Sequence, residues 1–121
     1  MTRRGDRRAA LFALYTWDLT GRPLELDEDV GDYARQVTNE VSGRAGELDA
    51  KITSVSEGWT ADRLGVVERN VLRIAIHEIE TGLAPPEVAI DEAVTLAKRY
   101  ATDDAGRLVN GILGRIAREA A

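Results

Sequence analysis

Apolar residues recur every three or four positions along most of the chain, and no stretch alternates as a half-buried strand would. That spacing predicts an all-α protein. A first helix is expected over Arg4 to Leu19, with Leu11, Leu14, Tyr15 and Leu19 on one face, closed by Gly21 and Pro23. Residues 25–58 are more polar but still periodic. Val30, Tyr33, Val37 and Val41 mark one stripe, and Leu48, Ile52 and Val55 another. Gly43 and Gly46 interrupt them, so this segment reads as one kinked helix or two.

The segment from Gly65 to Gly82 is apolar over most of its circumference, and its polar remainder includes a narrow stripe of Arg69, Arg73, His77 and Glu80. A helix with so little polar surface is expected to be the central, most buried one. A further helix is predicted from Pro86, suited to a first turn, to Tyr100, with Ala89, Ala93, Leu96, Ala97 and Tyr100 on one face. The last is expected over Asp103 to Glu119, capped by Thr102, with two aspartates at the positive end of the helix dipole. Five or six helices with short connections make a bundle.

The 121 residues suit one domain, or two small halves sharing a core. The absence of cysteine excludes disulfides, thiolate metal sites and cysteine nucleophiles. No apolar run approaches the length of a membrane span, and the N-terminus lacks the apolar stretch of a signal peptide, so a soluble cytoplasmic protein is expected. The single histidine, His77, rules out a multi-histidine metal site and reads as a surface or interface residue. Asp91 and Glu92 point about 100° apart on a helix and form no paired carboxylate site. Phosphate-cradling glycine loops are absent. These residues argue against an enzyme, and neither a cofactor nor a metal is expected.

A net charge of −5 argues, taken whole, against nucleic acid. Its distribution argues otherwise. Residues 1–22 carry five arginines and two aspartates, while residues 23–58 carry three basic and nine acidic side chains. Arg3, Arg4, Arg7 and Arg8 fall on one edge of the first helix, with Tyr15 two turns beyond Arg8. Arginines for phosphate and an aromatic ring for a base are the parts of single-stranded RNA recognition. Tyr15 reads equally as a core residue, on the strength of its apolar stripe.

Four ordered stretches then resemble the NusB family of transcription antitermination factors: "AALFALYTWDLTG", "RLGVVERNVLRIAIHEI", "PPEVAIDEAVTLAKRY" and "TDDAGRLVNGILGRI". The resemblance covers nearly the whole chain and is weakest over residues 22–58. It implies a compact bundle of about six to seven helices in two packed three-helix subdomains, here residues 1–58 and 59–121. It implies a role on boxA-type RNA of ribosomal RNA operons, jointly with NusE, a small-ribosomal-subunit protein, in a transcription antitermination complex, without catalysis. By position, Arg3, Arg4 and Arg7 match the family's arginine-rich RNA-binding motif, and Tyr15 its nearby tyrosine. Asp104, Arg107, Leu108 and Asn110 match a second RNA-side cluster, and Glu68 an acidic position at the NusE interface, which Arg69 and Arg73 extend. Asn110 has an alternative reading as a backbone partner, and Gly111 is expected to allow close helix packing.

Four departures stand out. The family usually has an acidic residue at Arg8, a small one at Asp6 and an aromatic one at Leu108, and its second-helix region is about a dozen residues longer. The alternative function is a helical protein-interaction module or homodimer that does not bind RNA itself.

Overall fold

The computed structural model describes residues 2–120, and every regular element among them is helical. The order is α1 (Arg3–Thr20), α2 (Asp32–Gly43), α3 (Ala45–Val55), a one-turn 3-10 helix (Ala61–Arg63), α4 (Val66–Thr81), α5 (Pro86–Tyr100) and α6 (Asp103–Ala120).

The helix ends follow local chemistry. Thr2 caps α1 by accepting a hydrogen bond from the Gly5 backbone N–H at 3.1 Å. Gly21, at φ 72°, closes the same helix in the left-handed conformation that a side chain would strain. Thr102 accepts from the Ala105 N–H at 3.0 Å at the start of α6. The segment left open between one helix and two resolves into two: Arg44 alone leaves helical geometry, at φ −111° and ψ 12°, between α2 and α3. From Gly21 to Gly31 the chain crosses from α1 to α2 without a helix.

Helix α4 packs against all five other helices, and every residue from Asn70 to Glu78 is buried. The apolar pattern thus located the centre of the bundle. The buried apolar side chains form one continuous cluster drawn from all six helices. The middle of the polar stripe of α4 is buried with the rest, while Arg69 is half-buried and Glu80 exposed at its ends. Arg73 and His77 are only 4% and 2% exposed, so the expectation of a surface or interface His77 is corrected.

Neighbouring helices supply the acids that make this burial tolerable. Arg73 forms a bidentate pair with Asp49 of α3 at 2.7 and 2.6 Å and also reaches Asp18 of α1 at 3.0 Å. Arg69 donates to Asp18 at 2.8 Å, and the buried Asn70 does so at 3.0 Å. His77 lies between Arg44, 2.7 Å from Nδ1, and Glu40, 2.6 Å from Nε2. A guanidinium only donates, so Nδ1 accepts and Nε2 carries the proton that Glu40 receives. Buried charge persists only when paired and hydrogen-bonded in this way.

Candidate nucleic-acid interface

Helix α1 presents two different faces. Arg7 lies four and seven residues before Leu11 and Leu14, so it shares their inward face and is 4% exposed. Its Nε donates to Glu78 Oε2 of α4 at 2.8 Å, and the same oxygen accepts from the Tyr33 hydroxyl. Burial, with that bond to Glu78, pushes the Tyr33 hydroxyl up, so it stays a protonated donor. Arg7 therefore joins α1 to the core and is withdrawn from solvent, which corrects its expected place on an open basic edge. The outward face carries Arg8, Phe12, Tyr15 and Leu19 at helical spacing, all exposed. Tyr15 and Leu19 accordingly leave the core stripe to which periodicity assigned them.

Arg3 and Arg4 stand at the N-terminal end, about 16 Å along the axis from Tyr15 by helical rise. Arg3 donates to the Leu83 carbonyl oxygen at 2.7 Å and lies 4.2 Å from the centre of the Tyr33 ring. Arg4 keeps a side chain 74% exposed while its Nε and one terminal nitrogen face Glu92 of α5, at 2.9 Å for the closest contact. A guanidinium has five N–H donors, so the far edge of Arg4 remains open to a phosphate. Arg8 forms no ion pair with any described residue.

Asp6, where the resemblance leads one to expect a small residue, is 3% exposed. It accepts from the Gly31 N–H at 3.1 Å, at the N-cap of α2. A carboxylate at the positive end of a helix dipole is a stabilising placement. A Cβ at Gly31 would press into that carboxylate and have to displace it.

The second cluster lies on α6. Asp104 and Arg107 pair with each other and are both exposed, Leu108 is 38% exposed, and Asn110 is exposed without a side-chain hydrogen bond among the described residues. The backbone role considered for Asn110 is therefore not seen. Gly111 is not a close-packing position either: a Cβ there meets nothing within 4 Å. Gly106 holds that role, with the Lys98 side chain laid across it. Between the clusters, Phe12 meets Tyr100 edge to face at 5.1 Å, and Leu11, Phe12, Tyr15, Val67 and Tyr100 line a shallow apolar cleft.

Of the partner-side residues, Glu68 is half-buried over Gly65 at the start of α4. Arg69 and Arg73 are withdrawn into the acid-paired stripe, with side chains 12% and 5% exposed, which corrects their assignment to a partner surface. Burial works against ionised Asp18, but hydrogen bonding and charge from Arg69 and Arg73 outweigh it and hold the carboxyl below its ordinary range.

Residues 4–118 match the NusB family. The chain belongs to that family. Among its relatives, the transcription antitermination protein NusB of Rubrobacter xylanophilus is 39% identical, over 93% of this chain and 88% of the relative. NusB of Thermotoga maritima superposes with a TM-score of 0.89 at 38% identity, covering 98% of this chain and 92% of that one. A chain of the crystal structure of antitermination factors NusB and NusE in complex with double-stranded RNA superposes with a TM-score of 0.85 at 32% identity. That match covers 97% of this chain and 96% of the other.

Within this NusB-family chain, sequence reasoning placed Arg8 on the basic edge but left it out of the residues matched to the family's RNA-binding motif, and it missed Phe12. The signal was present in the helical register. Arg8 is seven residues before Tyr15 and so shares its face, whereas Arg7 shares the face of Leu11 and Leu14.

Proposed function

We propose that the chain is an RNA-binding transcription antitermination factor that engages boxA-type single-stranded RNA of ribosomal RNA operons together with NusE. Its near full-length superposition on a chain from the NusB–NusE–RNA crystal structure carries this reading. The exposed face of α1 supplies the chemistry: Arg3, Arg4 and Arg8 for phosphates and Tyr15 for a base, with Phe12 beside it. Asp104, Arg107, Leu108 and Asn110 extend the RNA surface on α6, where Leu108 offers apolar contact in place of stacking. Glu68 is assigned to the NusE side. The role needs no catalysis and no cofactor, and its setting is the cytoplasm. No helix among the described residues is long and apolar enough to cross a membrane.

The test is a titration of boxA-type RNA and a scrambled control, each with and without NusE, over a range of salt. The expected result is selective binding that tightens with NusE and weakens with salt, by a slope of about 0.7 per phosphate contact on a single strand. Arg4→Ala and Arg8→Ala are each expected to lower that slope by one such contact. A log affinity independent of log salt overturns the assignment of the arginines. Glu68→Lys is expected to weaken NusE binding while RNA binding by the isolated chain stays nearly constant.

The exposed Phe12 and Leu19, at 49% and 57%, also favour a second reading in which this face joins two copies of the chain. Light scattering separates the two: a dimer that persists in saturating RNA supports the interaction module.

A further inference from the structure

A second basic surface lies away from α1, in a groove of about 360 Å³ between α6 and the turn joining α3 to α4. Trp59 forms one wall, and Arg107, Leu108, Arg115 and Arg118 of α6 form the other. Three features of this groove are unexplained by folding. The indole of Trp59 is 54% exposed, raised by a tight turn in which the Trp59 N–H bonds the Ser56 carbonyl at 3.2 Å and Gly58 adopts φ 76°. A ring left in water forgoes burial that a core position would provide.

The arginines are weakly engaged. Arg115 donates to the Val55 carbonyl oxygen at 3.3 Å and reaches Glu57 and Glu119, both at 3.5 Å, with the Glu57 side chain 92% exposed; Arg107 pairs with the exposed Asp104, and Arg118 pairs with no described residue. Exposed pairs of this kind contribute about 0–1 kcal/mol, so a phosphate displaces them readily. Finally, Gly111 sits in the middle of α6 with open space where a Cβ would be, although glycine weakens a helix interior. Its effect is to keep the groove open beside Leu108.

We propose that this groove holds a single-stranded RNA segment continuing from the RNA at Leu108, with a base stacked on Trp59 and phosphates held by Arg107, Arg115 and Arg118. The inference rests on the RNA reading of the previous subsection. From Arg107 to Arg118 the arginines span about 16 Å of helix, more than one phosphate bridges, so the ligand is extended and carries repeated negative charge. A flat indole beside that row suits a nucleobase, whereas an acidic peptide would leave the ring unused.

The experiment uses the full chain bound to NusE and three RNAs: a boxA-type core, and the same core with four uridines added at either end. One extended RNA is expected to bind about tenfold tighter than the core, the usual gain from stacking one base. Trp59→Ala and Gly111→Leu are each expected to abolish that gain and leave the affinity for the core unchanged. A Cβ at Gly111 meets nothing within 4 Å, so Gly111→Leu projects into the groove and separates occlusion from misfolding, and Trp59→Phe is expected to restore part of the gain. With Trp17→Phe in place, the emission of Trp59 is expected to fall on adding the extended RNA. Extensions that add nothing, or variants that keep the gain, overturn the inference and leave the proposed function standing. Failure of the core itself to bind overturns both. Loss of NusE binding by Gly111→Leu without RNA overturns the inference in favour of a protein occupant.

Discussion

Arg7 and Arg8 are adjacent in the chain and serve opposite ends of the physics. Arg7 is buried against Glu78, whose side chain is 1% exposed, so removing either partner strands the other in a dry interior. Glu78→Ala is therefore expected to cost about 3–5 kcal/mol of stability, read from urea unfolding. Arg8→Ala is expected to leave the unfolding midpoint nearly unmoved while reducing RNA affinity. Gly31 provides a second contrast at this scale. Gly31→Ala displaces the Asp6 carboxylate from the start of α2, with an expected loss of about 1 kcal/mol. In an Asp6→Ala background the same change is expected to cost much less, and a double-mutant cycle measures the difference. The register of Leu11 and Leu14 already placed Arg7 inward. That Glu78 waits there, 71 residues away, was not readable from α1.

At the scale of the element, α4 shows how a helix with a polar stripe becomes a centre. Its position was legible because apolar residues occupy most of its surface. Its polar stripe was misread as outward because the partners, Asp18, Glu40 and Asp49, stand on three other helices. These acids give the helix a pH signature. Asp18 is held below the ordinary carboxylate range despite its burial, and the hydrogen bond from His77 lowers Glu40 as well. A depressed folded-state pKa means that the unfolded chain takes up the proton first. The stabilisation is thus complete above the unfolded value, about pH 4, and is lost as pH falls through the lower folded value. Unfolding midpoints are expected to hold from pH 7 to 5 and decline below 4. Asp18→Asn is expected to be less stable at pH 7 and to show a shallower decline in acid. An equally steep decline in that variant removes Asp18 from the explanation.

For the whole molecule, the net charge of −5 describes the body and not its binding faces. The acids that dominate the total include those that neutralise the α4 arginines, whereas Arg8, Arg107 and Arg118 stay in water. Under the proposed function, an RNA ligand on this acidic bundle would be held by a few arginines against the long-range field, which accounts for the expected need for NusE. Helix order and approximate ends were legible, and helix number to within one, because each depends on residues near in sequence: apolar spacing, caps and glycine stops.

What the sequence by itself determined was the all-α architecture, the central helix and the family, since periodicity and ordered motifs are properties of the chain alone. Tertiary structure decided which charged residues face solvent and which face an acid. It withdrew Arg7, Arg69, Arg73 and His77 into ion pairs or buried hydrogen bonds, and left Arg8, Phe12 and Trp59 outside. The reason is that burial of a charge depends on a partner contributed by another helix, and helix packing brings residues dozens of positions apart to within 3 Å of each other.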